Sequence, residues 1–137
     1  PVSALNAQLT CGAGAALALA LLTLGQAEER HTYRESGLRL LGAALHAFTT
    51  PDGLPMHTPQ DAAAFFPRIP ALYDGELPSP AALLLHALAL ADAMRPQAGY
   101  LDASRVLWDA AASFAREQPL ACASLIDAAN ITLSKSP

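Results

Sequence analysis

The stretch SPAALLLHALALADAM, residues 79–94, decides the fold class of this chain. Serine followed by proline is a strong helix start, because the serine side chain caps the first turn and proline is tolerated at the first helical position. Leu84 and Leu88 repeat at helical spacing, and no charged residue occurs from Ala81 to Ala91. The stretch therefore predicts a helix that is buried over most of its surface and ends at Arg95, before the next proline.

The N-terminal segment predicts a helical hairpin. No charged residue occurs from Pro1 through Ala27, and this predicts a helix that is buried nearly all round. We expect that helix to run from Ser3, as N-cap, to Leu24, with Gly25 as its C-terminal stop. Apolar residues at steps of three and four then predict an amphipathic helix ending near Phe48. Because the turn between them is short, the two helices should lie antiparallel.

The C-terminal part repeats this arrangement of a buried helix followed by an amphipathic one. Charged and apolar residues alternate at helical spacing over Tyr100–Glu117, and a fifth helix begins near Pro119. No pattern of alternating β-branched residues predicts a strand. The expected architecture is one all-α domain of about five helices, with a hairpin at 3–49, a long proline-rich loop at 50–78, and a hairpin plus terminal helix at 79–132.

The loop between the hairpins contains six prolines from Pro51 to Pro78. Proline removes backbone donors and interrupts helices, so the sequence predicts a long connection with one helical turn at 60–65. A disordered segment would not carry many large apolar side chains. Five such side chains favour an ordered loop, namely Phe65, Phe66, Ile69, Leu72 and Tyr73.

The composition argues against several classes of partner. The net charge is -4 and Lys135 is the single lysine, so the basic patch required by nucleic acids and anionic membrane surfaces is missing. The clean apolar run at 13–22 is half of the ~20 residues that span a bilayer, which favours a buried helix. Cys11 and Cys122 fit no metal or redox spacing and are predicted to be buried, reduced thiols.

No metal or nucleotide motif is visible, so we expect no metal and no other cofactor. The chain opens without an initiator methionine and without a basic, apolar leader. We therefore expect a piece of a longer polypeptide, with a cytoplasmic origin.

The stretch LYDGELPS, residues 72–79, concentrates the candidate functional residues. Asp74 and Glu76 are weak candidates for an acid/base pair of the kind used in glycoside chemistry. In the alternative interpretation, Asp74 caps a turn in which Gly75 supplies a positive φ, and Glu76 is solvated. Ser79 is expected to be an N-cap and not a nucleophile, because it lacks the context of a nucleophile motif.

Three further residues are weighed as ligand contacts. Arg68 would either clamp an anionic or sugar ligand or pair with a loop carboxylate, Asp61 or Asp74. His57 is the one histidine that we consider at a site, because it lies in the loop. Trp108 is expected in the core and not as a sugar platform.

The order of these motifs resembles a known family. A hairpin with a short polar turn is followed by PDG at 51–53, FFPRI at 65–69, YDGELPS at 73–79 and REQPLACASLIDAA at 116–129. This order is similar to the C-terminal part of DUF255, or spermatogenesis-associated, proteins. Those proteins join a thioredoxin-like domain to an (α/α) six-hairpin, glycosidase-like toroid. In the family loop, Gly-Asn-Ser stands where this chain has Pro80, Ala81 and Ala82.

The resemblance implies that the chain is an arc of an (α/α)6 toroid whose loop lines part of a carbohydrate-type pocket. Arg68, Tyr73, Asp74 and His57 would then be ligand contacts, in a piece that is not catalytic by itself. The alternative is a non-enzymatic helical module that binds a protein partner or itself. Either way, the apolar faces of the buried helices should be covered by self-association or by the rest of a parent chain.

Overall fold

The computed structural model describes residues 10–60 and 68–134, and this part of the chain is all-α. It contains five helices: α1 Cys11–Ala27, α2 His31–Phe48, α3 Pro80–Met94, α4 Tyr100–Glu117 and α5 Ala123–Leu133. The all-α prediction of about five helices is confirmed. The fourth helix has the predicted bounds, and the third ends where the sequence indicated, with Arg95 as its C-cap.

Helices α1 and α2 form an antiparallel hairpin that depends on close approach at glycines. Near the start of α1, Gly14 faces Ala44 of α2; near the end of α1, Gly25 faces Arg34 at the start of α2. A Cβ atom on Gly25 would lie 2.7 Å from Arg34 Cγ, and one on Gly37 would lie 2.9 Å from Leu22 Cγ. The two backbones could not approach so closely if either glycine carried a side chain.

The first helix does not have its predicted bounds. Thr10 is extended and its hydroxyl accepts a hydrogen bond from the Ala13 amide at 3.2 Å, so α1 begins at Cys11. The predicted N-cap, Ser3, lies outside the described residues. At the other end the helix continues through Gly25 to Ala27. Gly25 does not end the helix; it makes room for the backbone of Arg34.

Helices α1, α3 and α5 form a row in which all three point the same way. Gly12 at the start of α1 lies beside Pro80 at the start of α3. The starts of α3 and α5 are joined by a hydrogen bond of 3.2 Å from the Ser79 amide to the Ser124 hydroxyl. Helix α2 packs mainly on α1, and α4 packs on α3 and α5. The long loop therefore lies at the common N-terminal end of the row.

The core is centred on α3. Its buried residues are Ala81, Ala82, Leu84, Leu85, Ala87, Leu88 and Ala91. Each fully buried leucine contributes about 1.5–3 kcal/mol relative to an exposed one. In contrast, α1 is not buried all round as predicted: Leu17 and Leu24 are 49% and 46% exposed. One face of α1 packs on the core and the other faces solvent.

The long loop is pinned to the helices by backbone hydrogen bonds. The Met56 amide donates to the Phe48 carbonyl at 2.8 Å, and the Ala71 amide donates to the Pro55 carbonyl at 2.8 Å. Leu72 is fully buried, although Ile69 is 55% exposed. The described parts of the loop are thus ordered. Apart from Gln60, the helical turn expected at 60–65 lies outside the described residues, as do Phe65 and Phe66.

Both cysteines are buried and free, as predicted. Burial raises the pKa of the Cys11 thiol to about 12. Burial and, to a lesser extent, the negative charge of Asp74 raise the pKa of the Cys122 thiol. Neither thiol therefore has the depressed pKa of a reactive cysteine.

Within residues 10–60 and 68–134, no helix combines the length and apolar character needed to cross a bilayer.

Candidate functional site

A groove of about 520 Å³ opens at the common N-terminal end of α1 and α3. Its floor includes Gly12 of α1 and Leu83 of α3, and its polar wall is formed by the loop residues His57, Tyr73 and Glu76. Three of the five candidate residues from the sequence thus line one groove. We refer to it as the loop groove.

His57 is held in the loop groove by its backbone. Its amide donates to the Ile69 carbonyl at 3.1 Å, and its carbonyl accepts from the Cys11 amide at 3.2 Å. These bonds attach the loop to the first residue of α1. The residue is half-buried and lines the groove, so a side chain that can donate and accept hydrogen bonds lies at this end of the helix row.

Tyr73 and Glu76 differ in how firmly they are held. Tyr73 is half-buried and packs against the core next to the fully buried Leu72. Glu76 is exposed and forms no hydrogen bond or ion pair with another described residue. The tyrosine offers a fixed aromatic face with a polar tip, and the glutamate offers a free carboxylate.

Asp74 does not line the loop groove; it caps two helices. Its Oδ1 accepts from the Ser79 amide at 3.0 Å and from the Ser124 hydroxyl. Its Oδ2 accepts from the Ser124 amide at 2.9 Å. Burial acts to raise the pKa of Asp74, but the bonds from Ser124 and Ser79 outweigh it and lower that pKa below its usual value.

The Asp74 carboxylate is bound at the starts of α3 and α5, whereas Glu76 lines the loop groove, so the two carboxylates have different surroundings. The alternative interpretation made Asp74 the cap of a turn; in the structure it caps two helices, and its partner Ser124 was not predicted. Gly75 does not have a positive φ, as that prediction required. No feature of the sequence indicated Ser124, because the contact joins segments far apart in the chain.

Arg68 lies outside the loop groove. It is exposed, and its Nη2 donates to the Thr58 carbonyl at 3.0 Å. It does not pair with Asp74, whose carboxylate is bound by Ser79 and Ser124. The other partner considered for Arg68, Asp61, lies outside the described residues.

Ser79 is the N-cap of α3, as the sequence predicted. Its hydroxyl accepts from the Ala82 amide at 3.2 Å and the residue is 1% exposed. A buried hydroxyl in this role is not placed to attack a ligand. Trp108 is half-buried against the core, and its ring also lines an open groove with Asp127 and Asn130 of α5.

In the part of the chain that the structure describes, no group of three or more His, Cys, Asp and Glu side chains could hold a metal ion. The fold and this site define an all-α protein in which the loop groove, mainly apolar with a few polar side chains, lies at one end of a parallel row of helices. Comparisons with protein-family models, with curated proteins and with solved structures find no match for this chain.

Proposed function

We propose that this chain is an arc of an (α/α) six-hairpin, glycosidase-like toroid related to the DUF255 proteins. An arc of this kind needs inner helices that point the same way, each with an antiparallel outer partner. The row of α1, α3 and α5, with α2 and α4 packed on it, has the expected contacts. The assignment to this family also depends on the motif at 73–79 and its position before α3.

The loop groove is the part of the arc that we propose binds a carbohydrate-type ligand. The observation that carries this proposal is that His57, Tyr73 and Glu76 line one groove. Aromatic faces and a small number of convergent polar groups are typical of small-molecule sites. Imidazole and carboxylate groups match the donors and acceptors of sugar hydroxyls. Arg68 and Asp74 are excluded from this ligand set, because one is outside the groove and the other caps helices.

The isolated arc is proposed to bind and not to react. Glycoside hydrolysis uses two carboxylates across the scissile bond. Glu76 is the one carboxylate among the described residues that line the loop groove. Ala81 and Ala82, which replace two polar residues of the family loop, are fully buried in α3 and add no polar group to the groove.

The test is a titration of the isotope-labelled chain with neutral mono- and disaccharides, followed by amide chemical shifts. We expect saturable shifts at His57, Tyr73 and Glu76, with dissociation constants of about 1 mM or weaker, because an open groove covers little of a ligand. Tyr73→Ala and Glu76→Gln should each weaken binding. Matched controls are Tyr33→Ala and Glu117→Gln, which remove the same groups away from the groove.

The carbohydrate proposal is rejected if no sugar shifts the groove residues, or if the control variants weaken binding as much as the groove variants do. Retained thermal stability of Tyr73→Ala would show that a loss of binding is not a loss of fold.

The exposed face of α1 favours the second candidate function, a helical interaction module. Ala13, Ala16, Leu17, Ala20 and Leu24 lie on this face and are all exposed. Their spacing of three and four residues makes one continuous apolar stripe. Stripes of this kind mark contact surfaces. We propose that this stripe, the α1 stripe, packs on a second copy of the chain or on the remainder of a parent chain.

A further inference from the structure

A second cavity, of about 190 Å³, lies at the opposite end of the helix row from the loop groove. It is enclosed by the last turns of α3 and α5 and the first turns of α4. Its lining includes Leu88, Ala89, Asp92, Leu101, Ser104, Ile131 and Thr132. We refer to it as the distal cavity.

The distal cavity contains a polar group with no partner. Thr132 is 6% exposed, and its Oγ1 is buried without a hydrogen bond to any described residue. A threonine hydroxyl in a helix can donate to the carbonyl four residues earlier, but the Thr132 hydroxyl does not. Buried polar atoms are satisfied in most proteins, so this hydroxyl is expected to bond to a molecule in the cavity.

Asp92 forms an acidic wall of the distal cavity. Asp92 is half-buried and forms no ion pair or hydrogen bond with another described residue. It lies in the last turn of α3, and the C-terminal ends of helices carry partial negative charge, so this wall favours a cation. The nearest arginines in sequence are engaged elsewhere: Arg95 pairs with Glu35, and Arg105 pairs with Asp102 at 3.3 Å.

Ser104 closes the inner side of the distal cavity. It is 0% exposed and its hydroxyl donates to the Tyr100 carbonyl at 3.0 Å, so it offers no group to a ligand. The Asp92 carboxylate and the Thr132 oxygen can both accept hydrogen bonds, and a ligand that donates hydrogen bonds fits them. The remaining walls are apolar side chains, including Leu88, Leu101 and Ile131.

The size of the distal cavity limits the ligand. A dry cavity of about 150 Å³ accepts one benzene molecule, whereas one water occupies about 30 Å³. A volume of about 190 Å³ is thus too large for a single water and suits about six to eight non-hydrogen atoms. Ile131 is 44% exposed and Asp92 is half-buried, so the cavity is open to solvent on that side.

We propose that the distal cavity binds a small organic ammonium compound. Its ammonium group donates hydrogen bonds to the Asp92 carboxylate and to the free Thr132 hydroxyl, and its apolar part lies among Leu88, Leu101 and Ile131. This site does not depend on the loop groove, because the two lie at opposite ends of the helices and share no lining residue.

The probe is benzylammonium, titrated into the isotope-labelled chain, with benzyl alcohol as a neutral molecule of the same size. We expect saturable shifts at Asp92, Ser104 and Thr132, and at least about 10-fold weaker binding of the alcohol, which corresponds to about 1.4 kcal/mol. Asp92→Asn should weaken benzylammonium binding by a similar factor. Asp109→Asn, an equal charge change on the exposed side of α4, should leave it unchanged.

Two further variants test whether the probe occupies the distal cavity and whether it bonds to the Thr132 hydroxyl. Ala89→Leu fills the distal cavity and should abolish binding while the thermal transition is retained; binding that survives in this folded variant overturns the proposal. Thr132→Val removes the free hydroxyl and should weaken the probe several-fold. If benzylammonium and benzyl alcohol bind equally, or neither binds and Thr132→Val is simply more stable, the cavity is not a cation site and the proposal fails.

Discussion

Asp74 and Ser124, which are 50 residues apart in the chain, are joined by two hydrogen bonds. The Ser124 amide donates to Asp74 Oδ2 at 2.9 Å, and the Ser124 hydroxyl donates to Oδ1 of the same carboxylate. Because Oδ1 also accepts from the Ser79 amide at 3.0 Å, one side chain holds the starts of α3 and α5. The loop that carries the candidate site is thereby fixed to both helices.

Removal of this carboxylate should destabilise the fold. Asp74→Ala leaves the Ser124 amide without its acceptor and removes the shorter of the two hydrogen bonds from the Ser79 amide. We therefore expect the free energy of unfolding to fall by about 1–3 kcal/mol. Urea denaturation followed by circular dichroism measures this change. Glu76→Gln, two residues away and without a partner among the described residues, is the control and should change stability by less than about 0.5 kcal/mol. Equal effects of the two variants would contradict the capping role.

The contribution of Asp74 to stability should depend on pH. The pKa of Asp74 is lower in the folded chain than in the unfolded chain, so the unfolded state binds the extra proton as the pH falls. The stabilisation is therefore fully present above the unfolded pKa of about 3.9 and is lost as the pH falls through the lower, folded pKa.

The measurement is the difference in unfolding free energy between the wild type and Asp74→Asn from neutral to acidic pH. This difference should stay constant above about pH 5 and shrink below about pH 4. A difference that grows toward acidic pH would mean that the folded pKa is raised and not lowered.

Gly53 is predicted to be irreplaceable, and Gly42 supplies a matched control. Gly53 has φ of 97°, and a Cβ atom there would lie 2.5 Å from Val106 Cγ1 of α4. Gly53→Ala should therefore cost at least about 1–3 kcal/mol. Gly42 is exposed in α2 and a Cβ there meets nothing within 4 Å, so Gly42→Ala should raise stability by up to about 1 kcal/mol. Thermal melts of both variants would check the opposite signs.

The helices could be predicted because their signals are local. The Ser79–Pro80 cap, the leucine spacing in α3 and the amphipathic pattern of α4 each depend on neighbouring residues, and they located these helices to within a residue or two. The first helix was placed less well, because Thr10 caps α1 in a segment where Ser3 carries a similar local signal. The turns at Glu29 and Gln97 adopt positive φ without glycine, a feature with no local sequence signature.

The site could be predicted only in part, because it is assembled from distant segments. The sequence offered Asp74 as the cap of a turn, beside the alternative of an acid/base role, but Ser124 and the role of α5 follow from packing alone. The distal cavity was not foreseen, since Asp92, Ser104 and Thr132 come from three helices and none stands out within its own helix. The meeting of His57 with Tyr73 and Glu76 likewise depends on how the loop folds back onto α1.

The α1 stripe is expected to control the oligomeric state of the chain. If it packs on a second copy of the chain, light scattering across a concentration series should show a mass that rises toward that of a dimer. Leu17→Glu, at a residue that is 49% exposed, should keep the chain monomeric with little change in folding stability, because the charge would be buried only in the dimer. Leu120→Glu is the control, since Leu120 is 91% exposed in the turn before α5, and it should not change the mass. A wild type that stays monomeric throughout would reject self-association and leave the remainder of a parent chain as the proposed partner of the α1 stripe.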